Sequence, residues 1–494
     1  MDSLPSPSPT VGTARFFAWV LAASLALQFS FPELIGSDGY FHLRMAHDPF
    51  GPMPWMPQSI FDQGWIDHQF LFHLLMFPFA LLLKGVTAAK VSAAVFAAAA
   101  ITSCFYFLRT QRVSGAALFS ILPGGVSWVF LLRMEMPRTQ SLSLLFIVLA
   151  LLALQARSLW LLLIVSWAYM ASYHVSLILL PVVGLYCLIH RSEANSAGWK
   201  PLLVSGLGLF AGLTIHPHSP RTFGFLWDHV VQKVLNRDDL PVGGEWQDGL
   251  LALLGPGLQG HDTLRILGQS AGPLLLLAGS LGCLYLARSR RSKLAIVLVL
   301  LAMGACSGLL LASKAIEYAA PLASLSLALS LRDLNPRWLQ SPTKMRALGL
   351  VVGLLLITQA VTLQRSVRST EPPPDRFVPA AEFLRAHAEP GEVIYHFSWG
   401  DFPELVWHAP EFRYVVGLDP HFLQLESPAL WDQVSALSQC SYANPSKPIQ
   451  ELFDARWALV SLPWDGAEDC MAQDSRMELV DRSAGALLYR INGI

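Results

Sequence analysis

The segment Ser37-Asp-Gly-Tyr-Phe-His-Leu-Arg-Met-Ala46 is the strongest local signal for chemistry in the chain. Asp38 heads it, with His42 and Arg44 close behind. A carboxylate so placed suits two kinds of chemistry. It can take a proton from an acceptor hydroxyl as a general base, or hold a divalent cation against a phosphate. The competing role is structural: Asp38 caps the helix that follows.

Other candidates are scattered. Glu135 lies between Arg133 and Arg138, as a catalytic or metal-binding acid or as part of a local ion network. His174 and the pair His216-Pro-His218 offer imidazoles to a polar ligand, or to backbone carbonyls. As a metal pair, His216 and His218 lack a nearby Cys or acid. Glu245 precedes Trp246; anchoring at a membrane interface accounts for the Trp but not for the Glu. Lys314 and Glu317 stand three apart and can pair on a helix. Trp399 and Asp401 fit either a ligand contact or a turn in a small folded domain.

The elements that position these residues are set by composition. The chain has 494 residues, 53% hydrophobic and 14% charged, against about 25% charged in soluble globular proteins. Mean hydropathy is +0.45. Ordinary soluble cores cannot bury that much apolar surface, so a polytopic membrane protein is expected. The 34 basic and 35 acidic residues nearly cancel, which leaves no overall basic field for nucleic acid.

The first apolar run, Phe16 to Ile35, reads as an uncleaved first span, with a cleaved signal peptide as the competing reading. Further runs fall near 88–108, 113–132, 140–156, 159–173, 175–190, 201–215, 268–287, 293–312, 317–331 and 346–363. The connectors at Arg109 to Arg112, Arg157, Arg191 to Lys200, Arg288 to Lys293 and Arg332 to Arg346 are basic. The positive-inside rule places them in the cytoplasm. The stretch His68 to Leu83 is short and holds His68, His73 and Pro78. It is expected as a helix at the outer interface, since a span there would turn the basic connectors outward. The expectation is about eleven spans, with the N-terminus inside and the C-terminus outside.

That topology places 36–87, 133–139, the region of 174, 216–267, 313–317 and everything after about 365 outside. These stretches hold most of the unusual polar residues, which suggests one site on one face. The competing explanation is that outer loops are simply polar. Residues 1–364 form the expected transmembrane domain, and 365–494 an extracytoplasmic α/β domain. Glu371-Pro-Pro-Pro-Asp375 reads as a stiff linker. Strands are expected at Glu392–Phe397, Tyr414–Leu418, Ala458–Leu462 and Ala486–Arg490, with helices at Phe377–His387 and Pro428–Leu437. Cys440 and Cys470 can pair if this region is extracytoplasmic.

The first span, its exit Asp, the Asp-Gly-Tyr-Phe-His-Leu-Arg stretch and the long outer loop resemble the GT-C superfamily of membrane glycosyltransferases. The layout is most similar to the catalytic subunit of oligosaccharyltransferases, which carries an Asp-Pro-Tyr-Tyr-His-Leu-Arg-like stretch at this place. The apolar helix at 68–83, the basic Arg109–Arg112 loop, the Arg133–Arg138 loop, Gly243-Gly-Glu-Trp246 and the C-terminal domain continue the likeness. Two features depart from it. The family's second-loop acidic pair is reduced to Glu135, and its Trp-Trp-Asp signature has only Ser398-Trp-Gly-Asp-Phe402 as a loose counterpart. Phe397 to Pro403 followed by Gly417-Leu-Asp-Pro-His421 looks like a pattern in bacterial GT-C-like proteins.

The resemblance implies an inverting transferase that takes a sugar or oligosaccharide from a polyprenyl-phosphate or polyprenyl-pyrophosphate donor. The acceptor is a glycan, lipid or protein at the outer face of a bacterial inner membrane. Asp38 and Glu135 are the implied catalytic residues. His42, Arg44, Arg133, Arg138, His174, His216, His218, Lys314, Trp399 and Asp401 are implied substrate contacts. A divalent cation, Mg2+ or Mn2+, would fall to Asp38, Glu135 and Glu245. The competing functions are a lipid-linked glycan flippase or transporter and a non-catalytic membrane assembly protein. A transporter would place charged or broken helices at mid-membrane. In this span assignment almost no ionisable residue falls there.

Overall fold

The computed structural model describes residues 12–62, 64–192, 198–232, 260–463 and 467–493. The apolar runs are helical: α1 Thr13–Gln28, then, after two helices described below, α4 Val86–Thr110, α5 Ala116–Val126, α6 Trp128–Glu135, α7 Gln140–Gln155, α8 Leu159–Ser172, α9 Leu179–His190 and α10 Lys200–Thr214. They continue with α12 Gly260–Leu286, α13 Lys293–Gly308, α14 Ile316–Leu334 and α15 Pro342–Thr370. The two helices between α1 and α4 are α2 Asp38–His47 and α3 Phe70–Leu82, and α11 is Arg221–Leu226.

Among the described residues, three helices are long and apolar enough to cross a membrane by themselves: Val86–Thr110, Gly268–Leu286 and Pro342–Thr370. The pair α5 and α6 would make a fourth if taken as one span, bent by 100°. The bend falls at Ser127, whose hydroxyl accepts the Phe130 N–H at 3.2 Å and so starts α6 afresh. Most of the remaining apolar helices have 10–17 residues. The first expected span ends early. α1 stops at Gln28, and Phe31 to Ile35 form the irregular approach to α2.

The chain divides into two compact units. The first comprises 1–31, 90–216 and 244–367. In it α14 packs on α12 and α13, and α8 packs on α10. Gly208 and Gly212 make the second contact possible. A Cβ at Gly208 would lie 2.6 Å from the Leu163 carbonyl oxygen, and one at Gly212 2.6 Å from Met170 Cβ. Small residues four apart are the usual means by which apolar helices approach closely.

The second unit comprises 32–89, 217–243 and 368–494. Its five-stranded sheet uses β1 Val393–His396, β2 Arg413–Tyr414, β3 Trp457–Ser461, β4 Met477–Arg482 and β5 Ala486–Ile491. The order is β2-β1-β3-β5-β4; β2, β1 and β3 are parallel, and β5 is antiparallel to β3 and β4. Side chains alternate across the sheet. Ile394, Leu459 and Leu488 face a core shared with Phe41, Met45, Trp55 and Trp65. Tyr395, Ala458, Val460, Leu487 and Tyr489 face a second core with Val434, Ile449 and Phe453. The early residues therefore supply part of the packing on one side of the sheet, beside Phe377, Leu384, Phe402 and Leu405.

The expected strand at Tyr414–Leu418 is cut to Arg413–Tyr414. Leu418 takes a left-handed φ of 60°, which ends extended structure there. Strand β4 was not expected. Cys440 and Cys470 form a disulfide with Cα atoms 5.8 Å apart. Helix α3 buries Phe72, His73, Met76 and Ala80, while Leu74, Leu75, Phe77, Leu81 and Leu82 on its other side are exposed.

Candidate active site

Within the second unit, the turn into α2 is made by Gly36, at a φ of 78° that favours glycine. Asp38 is the first residue of α2, and Arg44 and His47 stand in its last turn. Both placements complement the helix dipole. Ser37 occupies the cap position without a side-chain cap bond. The Asp38 carboxylate therefore sits at the positive end of the helix.

A second carboxylate comes from the Pro-rich linker. Glu371 accepts the Gly36 backbone N–H at 3.2 Å. Burial pushes its carboxyl up to about 7; Asp38 and Glu33 also raise it, while the Gly36 bond and Arg376 oppose. At the other end of the linker, Arg376 donates from Nε to Glu404 Oε2 at 2.8 Å and from an η nitrogen to Asp401 Oδ1 at 3.1 Å. Glu404 lies in α17 Phe402–His408, numbered after α16 Val378–His387, and α17 packs on α2. One guanidinium thus faces two buried carboxylates. Burial pushes Glu404 up to about 7 despite Arg376, and raises Asp401 as well. Tyr40 of α2 has its phenol raised by burial and then by Glu404. Asp401 is therefore anchored to the linker. Trp399 precedes it on a short 3-10 turn and is 38% exposed.

Two further side chains of α2 have defined partners. The Arg44 guanidinium lies over the Trp55 ring, 5.7 Å from its centroid. His42 Nδ1 is 2.9 Å from His73 Nε2, and His73 Nδ1 is 2.7 Å from Asp67 Oδ2. All three are buried. Burial raises the Asp67 carboxyl, but the charge and hydrogen bond of His73 outweigh it, and His68 and the Gln69 N–H add to the net lowering. His218 faces the same acid: burial lowers its imidazole, and Asp67 partly offsets this.

The first unit holds the other group. Glu135 ends α6, where Ser24 Oγ donates to Oε1 at 2.6 Å and Gln28 Nε2 to Oε2 at 3.0 Å. Arg133 donates from Nε to Glu317 Oε1 at 2.7 Å, with a second contact from an η nitrogen. Glu317 thus pairs with Arg133, and Glu135 is held by neutral donors. Lys90, buried in α4, donates to the Gln28 and Phe31 carbonyls at 3.0 and 2.6 Å and caps the end of α1. His174 is buried beside Tyr173 at the start of a 3-10 turn. Arg138 follows α6, Lys314 lies on the turn before α14, and His216 follows α10; each is half-buried. Glu245 lies outside the described residues.

Among the described residues no three His, Cys, Asp or Glu side chains stand close enough to hold a metal ion. Both oxygens of Glu135 already accept hydrogen bonds. The described donors do not by themselves make a metal centre.

No family model and no curated relative matches the sequence. Solved structures do match. The archaeal oligosaccharyltransferase AglB from Archaeoglobus fulgidus, in complex with an inhibitory peptide and a dolichol-phosphate, aligns with a TM-score of 0.61 at 12% identity. The alignment covers 94% of this chain and 71% of that one. ArnT from Cupriavidus metallidurans, bound to undecaprenyl phosphate, aligns with a TM-score of 0.57 at 13% identity. It covers 97% of this chain and 98% of that one. The chain has a GT-C fold. At these identities the likeness is one of fold, and it extends over the bundle and the small sheet alike. In this GT-C fold, sequence reading singled out Asp38, His42, Asp401 and Glu135. It did not single out Glu371, Glu404, Arg376, Asp67 or Lys90. Glu371 and Arg376 could have been flagged as the charged ends of a rigid Pro-rich run.

Proposed function

We propose that the chain is a membrane glycosyltransferase that moves a sugar or oligosaccharide from a polyprenyl-phosphate or polyprenyl-pyrophosphate donor to an acceptor hydroxyl or amide. The observation that carries this reading is the GT-C fold over nearly the whole chain, shared with two proteins bound to polyprenyl phosphates. The reading takes about eleven spans: the apolar runs of the sequence are mainly helical, and the shorter helices are read as crossing inside a bundle. It places the second unit outside the membrane, where the Cys440–Cys470 disulfide is stable.

In this mechanism Asp38 accepts the acceptor's proton as its nucleophilic atom attacks the anomeric carbon. The bond from that carbon to the phosphate oxygen breaks, the lipid phosphate leaves with the electron pair, and configuration inverts. The phosphate leaves without protonation, so positioning and charge neutralisation supply most of the rate. Arg44, Arg133, Arg138 and Lys314 are the cations for the donor phosphate. His42, His174, His216 and His218 are the hydrogen-bonding groups for the sugar, and Trp399 with Asp401 the acceptor contacts. Glu135 is assigned to the site as a fixed acid. No step runs through a metal. Cation binding by Asp38, Glu135 and Glu245 is a separate proposal that chelation tests.

The test is release of free polyprenyl phosphate from a panel of radiolabelled lipid-phosphate and lipid-pyrophosphate sugars, for wild type and Asp38→Asn, with and without EDTA. Turnover that depends on Asp38 supports the assignment. Equal turnover by Asp38→Asn returns Asp38 to the role of helix-end charge. Absence of turnover from every donor, in folded protein that binds lipid, favours a flippase or an assembly protein.

A further inference from the structure

A cavity of about 690 Å³ opens between the ends of four helices of the first unit. Phe17 of α1, Thr102 and Tyr106 of α4, Gln111 just after it, Leu152 of α7 and Leu161 of α8 are among its walls. It is mainly apolar. From Ala99 to Gln111 it follows α4 for about 18 Å at 1.5 Å per residue, close to the depth of one leaflet of hydrocarbon, about 15 Å. The Thr102 hydroxyl on its wall is buried and has no hydrogen-bond partner among the described residues.

Charge collects at one end. Arg112 follows the lining residue Gln111, and Arg157 follows the lining residue Ala156. Both side chains are exposed. Both residues take a left-handed φ, 56° and 55°, just past the last turns of α4 and α7. Arg15 stands two residues before the lining Phe17, and Arg109 donates to Thr13 Oγ1 at 3.3 Å. No Asp or Glu occurs in 12–17, 99–113 or 149–161. Arg332 donates to the Gln111 carbonyl at 3.2 Å, but its charge is met by Asp333 at 2.6 Å. The arginines around the opening therefore have no counter-anion within their own segments.

We propose that this cavity is a binding site for an anionic glycerophospholipid, with one acyl chain between α1, α4, α7 and α8 and the phosphate at Arg112 and Arg157. Basic pockets between membrane helices on the cytoplasmic side hold anionic headgroups by this combination. Guanidinium groups suit a phosphate because they offer paired donors in a fixed fork. The site is built from the basic-connector ends of its helices, away from Glu135 and Arg133 at the end of α6. It does not depend on the chain being a transferase.

Native mass spectrometry of the full-length protein, titrated with phosphatidylglycerol or phosphatidylcholine of matched chains, tests it. Wild type is expected to bind phosphatidylglycerol at least about fivefold more tightly than phosphatidylcholine, with the preference lost in Arg112→Gln/Arg157→Gln. Ala99→Phe, which fills the cavity, is expected to weaken both lipids, and Arg112→Lys/Arg157→Lys to retain part of the preference. Equal binding of the two lipids by wild type overturns the proposal, and that result needs no variant to fold. So does an undiminished preference in the double Gln variant. Displacement of phosphatidylglycerol by an equimolar polyprenyl phosphate overturns the assigned occupant.

Discussion

Glu371 accepts the backbone N–H of Gly36 at 3.2 Å across 335 residues of sequence. The linker that leads into the α/β fold thereby touches the turn that starts α2. Its other end is held by Arg376, between Asp401 and Glu404. Whatever moves the linker moves the neighbourhood of Asp38.

Glu371 and Glu404 both sit near 7 in the folded chain, above the ordinary 4.5. The folded state thus binds more protons than the unfolded one between pH 4.5 and about 7. Stability contributed by these groups falls as pH rises through that window, by up to about 3 kcal/mol for the buried Glu404. Thermal unfolding of the purified protein is expected to show a lower Tm at pH 8 than at pH 5. Glu404→Gln is expected to flatten that slope; an unchanged slope would remove Glu404 as its source.

The Asp67–His73–His42 chain predicts an asymmetric double-mutant cycle. His73→Phe leaves Asp67 buried without its partner, at a cost of roughly 3–5 kcal/mol. Adding Asp67→Asn removes the stranded charge and is expected to recover a large part of the loss. Denaturant titration in detergent measures both, and independent, additive effects would contradict the coupling.

Arg133 and Glu317 make a similar pair inside the helical bundle. Glu317→Gln is expected to weaken transfer by raising KM for the lipid donor, because Arg133 loses the partner that fixes its guanidinium. Glu317→Asp, which keeps the charge, is expected to retain more activity than Gln. A fall in kcat with KM unchanged would place Arg133 outside donor binding.

Topology is tested with an impermeant thiol reagent on intact cells. A cysteine introduced at 370–380 is expected to react from outside, and one at 288–293 is expected not to. Labelling at 288–293 would invert the topology.

The legible parts of this fold are those whose signal is local. The Asp38 segment, the apolar runs and strands β1, β3 and β5 carry their own pattern. Strand β4 does not: Met477-Glu-Leu-Val-Asp-Arg482 is an edge strand in which only Met477 is buried, so its charges mask the alternation. Lys90 was hidden inside an alanine-rich run, because its two carbonyl partners belong to another helix end. Glu371 read only as part of a linker. Its meaning depends on Gly36, and no window of sequence contains both.

The sheet's first core joins Phe41, Met45, Trp55 and Trp65 to Phe402, Tyr414, Leu459 and Leu488. A ribosome makes the first four some 340 residues before the last four, so the early set must wait. Phe41 of α2 packs on Trp65, His73 and Phe402, but until the final strand is synthesised its core lacks Ala486 and Leu488. Nascent chains stalled before β5 should therefore be more open to chaperones and proteases than the finished chain.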